Sequence, residues 1–281
     1  MTKNQTISPL SIIGVISAGL RIYRDHFQDY FTIGLQAYCW LIIPIYGWAK
    51  FIALSALISR LAYHEILEQP EAISQARPRV ERKMWSFLGQ GILVSLILMR
   101  AITVLILLGV TALSFLVAIL GQNNPITYLI GFGVSIAALC AYIGIVSRFL
   151  IASVPLAVED NMTATEAISR SRKLTKGSVL WILGIVFLEF LIIFPPLLIL
   201  DIFSITFVNP GLATILGSNS SIYNLIVNLF AIARFIIGGA LAVPFRQSIY
   251  GVIYCDLKFK ELRDKGIDLK INPIKDRKSG V

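Results

Sequence analysis

Charge is scarce in this chain: only 15% of its 281 residues are Asp, Glu, Lys or Arg, and histidine occurs twice. So little charge excludes a water-soluble domain of this size. The two histidines, His26 and His64, lie in separate segments that border apolar runs, where interfacial side chains are favoured over metal ligands. The three cysteines, Cys39, Cys140 and Cys255, are isolated in apolar surroundings, which excludes a disulfide framework and a zinc site and leaves packing roles. A Walker-type phosphate loop, an H-E-x-x-H pair and a G-x-S-x-G nucleophile elbow are all missing. Neither a metal, a cofactor nor an enzymatic reaction is expected.

What the chain does contain is apolar: 56% of residues are hydrophobic and the mean hydropathy is +0.77. Runs at 85–120, 126–158 and 179–200 exceed the roughly 20 residues needed to cross a bilayer core of about 30 Å. The formal charge of +9 comes from basic residues beside these runs. Without a nucleic-acid-binding motif, that placement points to anionic lipid headgroups and excludes nucleic acid as a partner.

Twenty of the 25 Lys and Arg residues fall into groups at 3–24, 60–83, 170–176 and 258–278. The connections at 121–125 and 202–221 contain none. By the positive-inside rule the basic groups and both termini are cytoplasmic, and each apolar stretch must go out and return. A single integral membrane domain is therefore expected over 1–281: an all-α polytopic bundle of about six hydrophobic segments in three hairpins, in a bacterial cytoplasmic or thylakoid membrane. The hairpins fall at 29–63, 85–158 and 178–255, before a basic tail at 256–281. The first has only about 35 residues for two passes at 1.5 Å each. Pro44 and Gly47 mark its bend, and it forms two short or tilted helices or a re-entrant hairpin.

Basic amphipathic segments precede the hairpins. In 8–28, Ile12, Ile16, Leu20, Tyr23 and Phe27 recur at helical spacing, with Ser8 as cap and Pro9 at the first helical position. This pattern favours an uncleaved interfacial helix over a signal peptide. Pro70 holds the equivalent place in the second such segment. The third, at 163–176, carries the capping box Thr163 and Glu166, an apolar face of Ala164, Ala167, Ile168, Ser171 and Leu174, and Gly177 as a stop. Arg170, Arg172 and Lys173 are its candidate headgroup contacts. Val15-Ile16-Ser17, Ala72-Ile73-Ser74 and Ala167-Ile168-Ser169, each followed by an arginine, suggest one unit used three times, with chance similarity in a low-diversity sequence as the alternative.

The stretch from Val154-Pro155-Leu156-Ala157-Val158-Glu159-Asp160 through Ala167-Ile168-Ser169-Arg170-Ser171-Arg172-Lys173-Leu174-Thr175-Lys176-Gly177 resembles bacterial, including cyanobacterial, proteins related to the membrane domain of glycerophosphoryl diester phosphodiesterases. The matching positions are Pro155, Glu159, Ala167, Arg170, Ser171, Leu174 and Gly177. Residues 20–27, 254–258 and 266–269 look similar to the same group. The resemblance implies a six-segment helical membrane domain. It implies no phosphodiesterase chemistry, because the soluble barrel that carries it in fused members is absent here.

Arg100, Glu189 and Arg234 lie deepest in the apolar runs, about 21, 15 and 18 Å from cytoplasmic edges placed at Ser86, Val179 and Arg246. A lone charge at that depth costs at least about 2.5 to 3.5 kcal/mol, so Glu189 is expected to pair with Arg100, Arg234 or both. Lys50, Arg148, Asp201 and Arg246 lie close enough to a turn or span end to snorkel. Gly131-Phe132-Gly133 and Gly238-Gly239 are expected to permit close helix packing. The long helix at 222–262 emerges near Arg246 as a polar stalk. These features point to a non-catalytic scaffold or accessory subunit with a membrane-protein partner and a link to lipid or envelope homeostasis. The alternative is a small transporter or channel for an anionic solute or lipid, and an intramembrane lipid-modifying enzyme has the least support.

Overall fold

Helix boundaries in the computed structural model, which describes residues 10–217 and 220–265, follow local chemistry. Ser11 caps α1 (Ile12–Asp25) by accepting the Gly14 N–H at 3.1 Å. Ser8 and Pro9, expected to start this helix, lie outside the described residues. A turn containing Pro44 separates α2 (Phe27–Trp40) from α3 (Tyr46–Ile66), as the Pro44 and Gly47 signal anticipates. Pro70 does not open a helix, because α4 (Ile73–Arg82) starts three residues later and contains Pro78 instead.

Beyond α4 come the long apolar elements. α5 (Met84–Leu120) and α6 (Pro125–Ser147) form a hairpin whose loop has Gly121 at φ +86, Asn124 as cap and Pro125 in the first turn. The short α7 (Ser153–Val158) and α8 (Ala164–Leu174) follow, and α8 carries the expected capping box: Thr163 N–H donates to Glu166 Oε2 at 2.9 Å, and Thr163 Oγ accepts the Glu166 N–H at 3.4 Å. α9 (Val179–Phe203) runs on through a π-helical turn (Ser204–Val208) into α10 (Asn209–Leu216). The last helix, α11 (Ser221–Asp264), has 44 residues and a length of about 66 Å.

The described chain is all helical, and four of its helices are long and apolar enough to cross a membrane: Met84–Leu120, Pro125–Ser147, Val179–Leu216 and Ser221–Asp264. This identifies an integral, multi-pass membrane protein. Neither α2 nor α3 qualifies. α2 spans only about 21 Å, and nearly every residue of α3 beyond its first turns is buried against other helices.

A core of α1, α2, α3, α7 and the second half of α11 is thus set apart from two extended hairpins. The core is tight because glycine lets helices approach. A Cβ on Gly251 of α11 would lie 2.8 Å from the Ser59 carbonyl oxygen and 3.2 Å from the Tyr63 nitrogen of α3. Leu10 ties the beginning of α1 to two other helices, donating its N–H to Asp256 at 3.1 Å and accepting from the Trp181 indole at 3.0 Å. By contrast, α5 past its second turn, α6, and the distal parts of α9 and α11 expose rows of Leu, Ile and Phe.

Gly251→Ala should therefore lower thermal stability in detergent by about 1–3 kcal/mol through overpacking against backbone. Gly133→Ala, where an added methyl meets nothing within 4 Å, should leave it unchanged. Equal melting temperatures for the two variants would refute the close α3–α11 approach.

Candidate functional site: a charged junction at the root of the hairpins

α4 folds back along α3 in a register marked by two ion pairs. Ten residues separate Lys50 from Arg60, ten separate Glu71 from Glu81, and the pairs are Lys50–Glu81 at 2.9 Å and Arg60–Glu71 at 2.6 Å. Arg60 is 2% exposed, so its charge must be met from all sides. Glu71 takes two of its N–H groups, at 2.6 and 3.2 Å. The Ala157 carbonyl at the end of α7 and Asp160 accept two more, at 2.6 and 3.2 Å. Arg79 reaches the other side of Glu71 at 3.2 Å. His64 faces the same carboxylate, Nε2 to Oε2, at 3.8 Å. Burial, together with Arg60 and Arg79, pushes the His64 pKa below the ordinary histidine value despite Glu71 and Asp160.

A second knot sits beside the first. The Tyr254 hydroxyl of α11 donates to Glu159 Oε1 at 2.6 Å, and Lys258 reaches the same oxygen at 3.4 Å while lying over the rings of Tyr63 and Tyr254. Lys83 donates to the backbone oxygens of Leu156 and Glu159 at 3.3 and 2.7 Å. Helices α3, α5, α7, α8 and α11 therefore meet around 154–177, with Lys83 at the start of α5.

Each position of the sequence motif lies at this junction. Pro155 is buried within α7, and Glu159 is the residue that ends it. Ala167, Ser171 and Leu174 form the buried face of α8, with the Ser171 hydroxyl donating to the Arg148 carbonyl at 2.8 Å. Gly177 adopts φ +82 and turns the chain toward α9. Arg170 is engaged by Glu261 of α11 through two contacts, at 2.9 and 2.7 Å. That pairing removes Arg170 from the expected set of headgroup contacts. Arg172 and Lys173 remain exposed, with the Arg172 guanidinium 6.0 Å from the Phe149 ring centre.

The expected cluster of Arg100, Glu189 and Arg234 is replaced by two separate pairs. Glu189, 1% exposed, accepts from Arg246 Nε at 2.5 Å, and its second oxygen is buried without a hydrogen bond. Arg234 pairs with Asp201. Arg100 is exposed on α5. Phe87 and Gln90 of α5, and Ile182, Ile185 and Glu189 of α9, are buried, so both helices begin against other parts of the protein.

The Asp201–Arg234 pair opens onto a cavity of about 330 Å³ lined by Tyr38, Leu197, Phe235, Gly238 and Gly239. A Cβ on Gly239 would collide with the Tyr38 ring, so that glycine admits the tyrosine. Among the described residues no group of three or more His, Cys, Asp or Glu is placed to hold a metal ion. Cys39 and Cys140 are exposed and free, and Cys255 is buried and free.

No protein-family model, curated protein or solved structure matches the chain.

Two outcomes check the junction. Arg60→Met should cost about 3–5 kcal/mol, because it strands the Ala157 carbonyl in the interior and removes the buried partner of Glu71, leaving that carboxylate to Arg79. Asp160→Asn should cost less, since that side chain is mostly exposed. The second outcome concerns pH. A histidine whose folded pKa is depressed contributes its full stability above the unfolded value of about 6.5 and loses it as pH falls below that value. Between about pH 7 and pH 5 the parent protein should lose more stability than His64→Gln, and identical pH profiles would remove His64 from the balance.

Proposed function

We propose that this chain is a non-catalytic scaffold or accessory subunit of the bacterial cytoplasmic or thylakoid membrane, tied to lipid or envelope homeostasis and of the kind related to the glycerophosphoryl diester phosphodiesterase membrane domain. Its basic groups and both termini face the cytoplasm. The observation that carries this reading is the division of labour among side chains. The buried charges Arg60 and Glu189 both bond to partners within the chain. The hairpin of α5 and α6, uncharged over 101–147, is bare of protein on most of its surface. A locked core that holds an uncovered apolar hairpin in the bilayer suits the recruitment of another membrane component better than it suits turnover of a substrate.

Anionic lipid belongs to the same reading. Arg148, Arg172, Lys173 and Lys176 are exposed near the end of α6 and on the outer side of α8, joined through the Ser171 bond to Arg148. Near a charged bilayer each such residue is worth about 1 kcal/mol. The alternative, a small transporter or channel for an anionic solute or lipid, draws on the Asp201–Arg234 pair beside its cavity, because an ion pair exposed within an apolar segment offers a polar foothold.

Purification in mild detergent, with co-purifying proteins and lipids identified, separates the two. Arg172→Gln with Lys173→Gln and Lys176→Gln should reduce recovery of anionic lipid several-fold while the fold persists. Unchanged lipid content would argue against headgroup contact. If Arg234→Gln with Asp201→Asn abolishes solute flux in proteoliposomes and leaves partner recovery intact, the transport reading replaces the scaffold.

A further inference from the structure

The turn between α2 and α3 is built against the ordinary preferences of a water-exposed loop. Residues 30–49 contain no charge. Within the turn and the first residues of α3, Ile42 is 74% exposed, Ile45 59% and Trp48 49%. The backbone is strained at the centre of this patch. Tyr46 N–H donates to the Pro44 carbonyl at 2.7 Å across Ile45, which sits at φ 63 and ψ −66. That is the disfavoured hand of the γ-turn, and a β-branched residue there is a genuine outlier that glycine would relieve. With more than half of its surface exposed, the Ile45 side chain is not held there by burial in the protein core. Strain of this kind persists where the surrounding backbone over-determines it, here through the bonds of Ile43 to Trp40 and of Gly47 to Ile43, and it is a pointer to a role for the turn.

Around the patch lies a belt of amphipathic side chains. Trp40, Trp48 and Trp85 are three of the four tryptophans in the chain. Tyr46 touches both Trp40 and Trp85, with ring centres 5.5 and 6.4 Å apart. Lys50 lies 5.9 Å from the rings of Trp40 and Tyr46 and is neutralised by Glu81. Aromatic residues collect in this way at the level of lipid headgroups, and a lysine folded back toward polar partners is the expected companion. Through Trp85 the belt joins the exposed apolar surface of α5, which continues at Ile92 and Leu93.

We propose that the α2–α3 turn is a re-entrant membrane wedge. Ile42, Ile43 and Ile45 enter the acyl region of the leaflet that α5 enters first, and Trp40, Tyr46, Trp48 and Trp85 mark the headgroup plane. The occupant of this surface is lipid, because the patch is continuous with a helix already assigned to the bilayer. This gives the core a third membrane contact beside the two extended hairpins. It does not depend on the scaffold reading, since the depth of the turn is measured without reference to lipid recovery or partners.

The test uses the full chain with Cys39 and Cys140 replaced by Ala, reconstituted into vesicles of phosphatidylethanolamine and phosphatidylglycerol. Nitroxides are placed at Ile42→Cys, Ile45→Cys and, on the exposed side of α4, Gln75→Cys. The expected result is that labels at 42 and 45 collide with dissolved oxygen and are shielded from a water-soluble nickel chelate, while the label at 75 shows the reverse. Nickel access at 42 and 45 equal to that at 75 would overturn the proposal. Shielding from both reagents, with spin–spin broadening, would also overturn it by showing that a second copy covers the turn. In case the labelled variants fail to fold, brominated-lipid quenching of the unlabelled protein gives an independent reading. Quenching should fall in Trp48→Phe when bromine is placed high on the acyl chain, and no change would count against insertion.

Discussion

α11 must remain one continuous helix although half of it faces lipid and half faces protein, and the arrangement of the other elements follows from that constraint. Pro244 lies inside it and has no N–H to give, which leaves the Ala240 carbonyl without its helical donor. The chain answers by bringing α2 close. A Cβ on Gly34 would stand 2.9 Å from that carbonyl and 2.8 Å from the Pro244 ring, so α2 covers the gap with backbone at the one residue type that fits. On the following turn Ser248 donates to the Pro244 carbonyl at 2.9 Å. α3 then packs along the next stretch at Gly251, and the tyrosine and lysine of the stalk reach Glu159. The segment expected to emerge as a polar stalk is therefore a central strut of the core. Its basic residues Lys258 and Lys260 are spent on Glu159 and Ser178, and only its end projects.

Removing charge from the apolar hairpins and concentrating it at their root are two sides of one requirement. Within hydrocarbon an unpaired charge costs several kcal/mol, and helices gain nothing from hiding leucine from lipid that is itself apolar. Inside a protein core the same charges are tolerable when each finds a geometrically suitable partner. Arg60, with acceptors from three segments, shows how exacting that is. The segment 154–177 supplies several of those partners, and its proline, glutamate, arginine, leucine, small residues and glycine each take a place in that packing. Its requirements are steric and electrostatic, and both concern how α7 and α8 seat against α3 and α11.

Much of this architecture is legible in the order of the amino acids. Apolar length identifies the membrane class and all four long helices, and local signals locate the capping box at Thr163, the bend at Pro44 and the stop at Gly177. What composition does not reveal is where lipid ends and protein begins along one helix. Phe87 and Leu108 are both large apolar residues of α5, yet Phe87 is buried against protein and Leu108 is exposed. Hydropathy registers both alike and so does not separate contact with protein from contact with lipid. For the same reason 29–63 resembles a membrane hairpin, although most of α3 contacts other helices. The ion pairs are hidden for a different reason, since pairing depends on the relative shift of α9 and α11. One clue is present in the numbering. Glu189 and Asp201 are twelve residues apart, as are Arg234 and Arg246, which is the pattern of an antiparallel ladder with two rungs.

That ladder explains how the third hairpin keeps its register. Apolar ridges in lipid can slide by a turn with little change in contact, because each leucine exchanges one hydrocarbon neighbour for another. A slide of one turn between α9 and α11 would break Glu189–Arg246 and Asp201–Arg234 together, since the rungs have equal spacing of about 18 Å. Leu197 lies between them against Gly238, where an added methyl would come within 3.0 Å of its side chain, so the same register is also marked sterically. Two rungs fix both position and tilt, which one cannot do. The pairs need not add much stability to fulfil this role. They need only make every alternative register worse by the cost of four unpaired charges.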